Sequence, residues 1–388
     1  MTVLWSAFFA TGNWLFFTRR FMSNQQIGIF DAVCFLFGLL VEIPSGAVAD
    51  RWGRRKTMIV ASILMGLGYG GMGLSMTSWH IYAGYLAFTL GYSLFSGADD
   101  ALMYDYMKHH GIEDKWQKLQ REKTITRRIG NVVATLLGAP LYAISSRLPS
   151  LARGVFFLLM LIPLSKMKFL DTEHIRERTE VGYLSHLHKG FKTMFNARLL
   201  PLVIMIIFIG GIGNTFFIGG VLRPFMLERA GLDVAFHPVV IAVAGLISIL
   251  LLLKQPHVKT NNLYITSVAV SILMILGFAV NIPLSSTVLM IVGIIVIHIA
   301  NYLLQPLISE LVNNEATSEH RATTISTANL FDQLGYVIAA PLIGIMVSRN
   351  NLGTFVAILV ACMSLALMTS YALHRSSQQL AKKQKTSP

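Results

Sequence analysis

Gly46-Ala47-Val48-Ala49-Asp50-Arg51-Trp52-Gly53-Arg54-Arg55-Lys56 is a short basic stretch between two long apolar runs, 27–49 and 57–76. Four of its last six residues, Arg51, Arg54, Arg55 and Lys56, are cationic. Each flanking run has about the 20 apolar residues that a helix needs to cross a hydrocarbon core. Gly46 and Gly53 permit close helix approach and a tight turn. Asp50 can cap the helix that follows and pair with Arg54. The stretch therefore reads as a tight connection between two membrane spans, on the face where basic residues are retained.

The rest of the chain repeats this alternation. Its 388 residues are 54% hydrophobic and 13% charged, with a net charge of +13. Soluble domains carry about 25% charged residues, so a soluble fold would lack the polar groups to cover its surface. Twelve apolar runs follow one another: 2–18, 27–49, 57–76, 79–104, 124–146, 151–168, 199–222, 237–253, 261–281, 286–312, 322–347 and 354–373. The first has neither the basic leader nor the small-residue cleavage site of a signal peptide and reads as a span. Cys34 and Cys362 lie far apart in apolar runs, as buried thiols rather than a disulfide or metal pair.

The positive charge is topological. With a cytoplasmic amino terminus and an even span count, 25 Lys and Arg fall in cytoplasmic connections and 7 on the other side. Such a bias places both termini in the cytoplasm and leaves no need for a nucleic-acid partner. The expected protein is an all-α integral membrane chain of twelve transmembrane helices in two six-helix, pseudo-symmetric halves. Residues 1–168 form the first half, 169–198 a cytoplasmic linker, 199–373 the second half and 374–388 a basic cytoplasmic tail. The linker carries an amphipathic piece, Tyr183–Phe195, with His186, His188, Lys189 and Lys192, suited to a membrane surface. Gly138-Ala139-Pro140-Leu141 and Ala339-Ala340-Pro341-Leu342 stand 201 residues apart, a short internal similarity between the halves.

The opening stretch resembles the loop between spans two and three of the major facilitator superfamily, G-x-x-x-D-R-x-G-R-[RK]-x. Glu42-Ile43-Pro44-Ser45-Gly46 and Ser96-Gly97-Ala98-Asp99-Asp100-Ala101-Leu102-Met103-Tyr104-Asp105 resemble a bacterial branch of it, mostly regarded as drug or small-solute exporters. The resemblance implies a cytoplasmic gate built from Gly46, Asp50, Arg51, Gly53, Arg54 and Arg55, with Asp105 as the partner on span four. Many proton-coupled exporters of the family carry an Arg midway along span four, where this chain has Tyr85. Span five keeps Gly130, Gly138 and Pro140 of an exporter motif, with Tyr142 and Ala143 at two glycine positions.

Ionisable residues inside spans are expensive and are functional candidates by default. Asp31 and Glu42 are eleven residues apart, three helical turns, and share a face, with Asp31 expected towards the outer interface. They join Asp332 as proton-coupling candidates. His298, Asn301 and Gln305 form one stripe on span ten. With Asn13, Trp14 and Asn214, on spans that line the central cavity in the family, they are the expected substrate contacts. Asp99, Asp100 and Asp105 at the end of span four are expected to pair with Arg127 and Arg128.

The expected function is secondary transport of a small solute by alternating access, in the inner membrane, by a monomer. Proton-coupled export of a lipophilic or cationic molecule comes first, and import of a nutrient or metal chelate second. A non-transporting receptor is the alternative from another class. No G-x-x-x-x-G-K-[ST], H-E-x-x-H or G-x-S-x-G occurs, so neither an ATP-driven pump nor a membrane hydrolase is expected. No cofactor or metal site is expected.

Overall fold

The structure, a computed structural model, describes residues 17–167, 200–213, 221–254, 263–283, 286–315 and 321–386. Most of the expected first span, with Asn13 and Trp14, lies outside these residues, as do the linker piece Tyr183–Phe195 and Asn214.

The described residues are helical, and no strand occurs among them. Helix α1 (Asn24–Trp52) opens on a capping box. The Ser23 hydroxyl accepts from the Gln26 amide, and the Gln26 side chain accepts from the Ser23 amide. Helices α2 (Arg54–Gly73), α3 (Ser78–His109), α4 (Trp116–Ile144), α5 (Leu148–Leu159) and α6 (Leu161–Ser165) follow. Beyond the linker come α7 (Leu200–Ile204), a π-helical turn (Met205–Gly210) and α8 (Leu222–Arg229). The chain closes with α9 (His237–Lys254), α10 (Leu263–Val280), α11 (Thr287–Glu315), α12 (Arg321–Ser348) and α13 (Leu352–Thr386).

By length and composition, six stretches among the described residues can cross a membrane: Asn24–Val41, Leu148–Ser165, Val234–Leu251, Leu263–Val280, Thr287–Leu311 and Leu352–Ser376. Helix α2 starts on Arg54, Arg55 and Lys56, and α3 and α4 carry acidic and basic residues at their facing ends. Gln333–Ser348 of α12 is a shorter apolar stretch among the described residues.

The chain divides into two compact units, residues 1–179 with 234–242, and residues 180–233 with 243–388. In the first, α2 packs on α3 and α5, and α1 on α3. The buried apolar side chains include Met58, Met65, Tyr69, Phe95, Leu102 and Phe157. In the second, α10 packs on α11 and α13.

Both units contain the same helix crossing. A Cβ placed on Gly68 of α2 would lie 2.5 Å from the Gly84 carbonyl oxygen of α3, and one on Gly84 would lie 2.7 Å from that of Gly68. In the second unit, a Cβ on Gly277 of α10 would lie 2.9 Å from the Gly293 carbonyl oxygen of α11, and the reverse distance is also 2.9 Å. Only glycine lets helices pack this closely. Gly68 and Gly277 stand 209 positions apart, as do Gly84 and Gly293. The first residues of α2 and α10, and of α3 and α11, keep the same offset. It exposes an internal repeat: Ser62-Ile63-Leu64-Met65-Gly66-Leu67-Gly68-Tyr69 against Ser271-Ile272-Leu273-Met274-Ile275-Leu276-Gly277-Phe278, identical at six of eight positions. Met65 and Met274 are both fully buried.

Candidate functional site

The basic stretch of the opening paragraph turns at Gly53, whose φ of 92° and ψ of 134° are open to glycine and costly for other residues. Arg54, the next residue, donates from Nη1 to Asp105 Oδ2 at 2.5 Å and to the Ala101 carbonyl at 3.3 Å. This ties the start of α2 to the last turns of α3. Arg55 Nε donates at 2.7 Å to the Leu164 carbonyl, at the end of α6, where a helix leaves its final carbonyls unpaired. Arg51 is exposed, Gly46 lies within α1, and the side chain of Asp50 falls outside the described parts.

Beside this end, Lys123 of α4 bonds to Asp99 at 2.5 Å and to Asp100 at 2.6 Å, and Gln120 donates to Asp100 at 2.9 Å. The sequence reading expected Arg127 and Arg128 in that role. Lys123, one turn before Arg127, makes these bonds, and the Arg128 side chain lies outside the described parts. Burial works to lower the Lys123 ammonium, but the hydrogen bonds to Asp100 and Asp99 outweigh it and hold its pKa above the ordinary lysine value.

Deeper in the first unit, Asp31 is only 1% exposed. Asp31 lies eight residues beyond the cap Ser23, about 12 Å along the helix axis. The Tyr85 hydroxyl donates to its Oδ1 at 3.0 Å, while Oδ2 has no partner among the described residues. Tyr85 is the residue standing where the resemblance places an Arg. Phe30 walls the carboxyl in, its ring 5.6 Å from Tyr85 and 4.5 Å from Tyr82.

Sequence reasoning missed Arg153. It was counted among the residues of an outer connection, but it is buried on α5. Its Nη1 donates to the Tyr69 hydroxyl at 2.5 Å. The guanidinium also lies 4.1 Å from the Tyr69 ring centre, 5.3 Å from Phe88 and 5.5 Å from Phe157, a desolvated cation–π arrangement. The available signal was its setting, Leu151-Ala152-Arg153-Gly154-Val155-Phe156, which is apolar on both sides.

The second unit holds the other predicted stripe. His298 and Asn301 are buried on α11, and Gln305 is half-buried one turn further on. The His298 ring stacks on Tyr302, with centres 5.0 Å apart. Arg223, also counted outside, is buried on α8, which extends the seventh apolar run as helix to Arg229. Helix α8 packs against α11. Arg229 instead caps the end of α10, donating to the Asn281 carbonyl at 2.5 Å and the Ile282 carbonyl at 2.8 Å. The side chains of Glu42 and Asp332 fall outside the described parts, although both residues lie in helices. Among the described residues, no three His, Cys, Asp or Glu side chains gather as metal ligands.

Long apolar helices with a carboxylate, arginines and an imidazole buried among them define a multi-pass membrane protein with functional candidates inside its spans. The chain belongs to the Major Facilitator Superfamily, whose sequence profile matches residues 1–340. The fold is therefore the twelve-helix fold of that family, and the protein is a transporter rather than an enzyme. Three solved structures illustrate the likeness. The nucleoside transporter NupG has 16% identity and a TM-score of 0.74, with 96% of each chain covered. The POT family transporter PepTSo has 13% identity and a TM-score of 0.72, with 97% of this chain and 96% of that one covered. A bacterial homologue of the human lysosomal transporter Spinster, inward-facing and unoccupied, has 16% identity and a TM-score of 0.61, with 95% and 90% covered. Among curated proteins, none matches the sequence.

Proposed function

We propose that the protein is a secondary transporter of the inner membrane, with both termini cytoplasmic, that exports a small solute by alternating access in exchange for protons. The observation that carries the coupling is Asp31, a wholly buried carboxyl with one oxygen engaged by Tyr85 and the other without a partner. A carboxylate held away from water needs either a cation or a proton to offset its charge. Oδ2 is the atom available to take one. Glu42 and Asp332 are the further proton candidates. Arg54 with Asp105, together with Gly46, Asp50, Arg51, Gly53 and Arg55, forms the cytoplasmic gate that closes when the cavity opens outward. The direction is supported by the likeness of residues 42–56 and 96–105 to the exporter branch. The orientation is supported by the 25-to-7 distribution of Lys and Arg.

Proteoliposomes enclosing a pH dye test this reading. Citrate, inorganic phosphate, a nucleoside and tetraphenylphosphonium are added in turn under an imposed pH gradient. The native protein should move protons with at least one solute. Asp31→Asn should insert normally and lose solute-dependent proton movement by 10-fold or more. Undiminished proton movement in Asp31→Asn removes Asp31 as the coupling group.

A further inference from the structure

We propose that the α11 face carrying His298, Asn301 and Gln305, with Arg223 of α8 beside it, is a solute subsite of the second unit that takes an anionic group, a carboxylate or a phosphate. The inference rests on the transporter reading above and adds the class of solute.

The internal repeat supplies the first argument. At the 209-residue offset, His298, Asn301 and Gln305 correspond to Thr89, Tyr92 and Ser96 of α3. In the first unit, two of these three bond to backbone, Thr89 to the Tyr85 carbonyl at 2.8 Å and Ser96 to the Ser93 carbonyl at 3.0 Å, while Tyr92, the counterpart of Asn301, is exposed. In the second unit, the donors are kept. Asn301 is 3% exposed, and its Nδ2 has no partner among the described residues; nor has Gln305 Nε2, one turn away. Burying a donor without an acceptor is costly. Two such donors on one face are a site waiting for an acceptor-bearing ligand.

Gly213 packs opposite Asn301: a Cβ there would lie 3.4 Å from Nδ2 and 3.0 Å from Met274 Sδ, so a larger residue would crowd the amide. Gly213 closely follows the π-helical turn Met205–Gly210, the kind of helix irregularity that recurs at functional sites.

The charge fixes the sign of the ligand. Arg223 is buried on α8, which packs against α11, and a guanidinium presents its donors in a fork that matches carboxylate and phosphate oxygens. The carboxylates Glu228, on the same helix, and Glu310, further along α11, are exposed. Amide and guanidinium donors together suit an anion, and they argue against the lipophilic cation that the exporter resemblance suggested.

Thermal unfolding of the full-length protein in detergent tests this without any gradient, so its outcome stands apart from proton coupling. Citrate, inorganic phosphate and tetraphenylphosphonium are the probes, each at millimolar concentration. Citrate or phosphate should raise the melting temperature by a few degrees, and which of them does so separates a carboxylate site from a phosphate site. Asn301→Asp keeps the size of the side chain but turns the donor into a carboxylate, and it should remove the rise. Gln305→Leu should weaken the response about 10-fold. Should Asn301→Asp not yield folded protein, Gln305→Leu decides. A rise with tetraphenylphosphonium alone, no rise with any probe, or a wild-type response in the variants overturns the proposal.

Discussion

The two units share a scaffold and differ in the chemistry mounted on it. The α2–α3 and α10–α11 pairs begin 209 residues apart and cross at the same glycine positions. Yet α2 and α3 carry a basic stretch at one end and face the Asp31 carboxyl, while α10 and α11 carry the amide and imidazole stripe. Tyr69 and Phe278 occupy one repeat position, and only the unit with a buried Arg153 keeps the hydroxyl that Arg153 needs. Backbone contact restricts what can change at the crossing. The chemistry varies where a side chain meets an open space or another side chain.

The largest effect is expected at the crossing. A Cβ on Gly68 meets backbone alone, the Gly84 carbonyl at 2.5 Å and the Phe88 nitrogen at 2.8 Å. A Cβ on Gly277 meets Ile297 Cγ1 at 2.8 Å, a side-chain atom able to move. Its nearest backbone atom, the Gly293 carbonyl oxygen, is 2.9 Å away, further than the backbone atom at 2.5 Å that faces Gly68. Gly68→Ala should therefore cost about 3 kcal/mol of stability and Gly277→Ala about 1 kcal/mol, within the usual span for overpacking. Chemical unfolding of both variants in detergent micelles measures the difference. Equal losses would break the claim that the first crossing is the less adaptable.

How far the sequence could be read follows from the same division. Apolar run length and Lys/Arg placement report the solvent around each segment, so the all-helical membrane fold was open to reading. The basic stretch was recognisable because its glycines, aspartate and arginines are consecutive. The burial of Arg153 and Arg223 was not legible because a tally of connections assigns each cation to a side of the membrane and ignores its neighbours. Whether an arginine extends to water or lies on Tyr69 depends on packing between distant segments. Asp31 was recognised as a candidate, but the sequence does not reveal that the Tyr85 hydroxyl bonds it or that it is wholly buried. The repeat of residues 62–69 and 271–278 was present in the sequence, but long apolar runs all look alike until the shared crossing picks one register.

A middle-sized effect is expected at the aromatic position that separates the units. Tyr69→Phe gives the first unit the residue of the second and leaves Arg153 Nη1 without the acceptor it bonds at 2.5 Å. An unmet buried donor costs about 1–3 kcal/mol. Pairing the change with Arg153→Met removes the donor too and should recover part of the loss. Unfolding of the two single variants and the double variant reads this directly. A double variant no better than the sum of the singles would mean that Arg153 is held by its cation–π contacts, with the hydroxyl contributing little.

The smallest stability effect is expected at the feature with the clearest sequence signature. Arg54 and Asp105 meet at 2.5 Å, yet their side chains remain 35% and 28% exposed. Exposed ion pairs contribute about 0–1 kcal/mol, because water screens the charges and two long side chains must be ordered. A double-mutant cycle with Arg54→Ala and Asp105→Ala should therefore give a coupling of less than about 1 kcal/mol in unfolding. The same variants should lower solute flux in proteoliposomes far more than they lower stability. In the gate proposed above, the pair sets the shape of the basic stretch at this end of α2 and α3, so even a small free energy would bias the equilibrium between the two transport states. A large coupling in unfolding with unchanged flux would recast the basic stretch as a static brace, and the contrast between the units would then lie in structure rather than in gating.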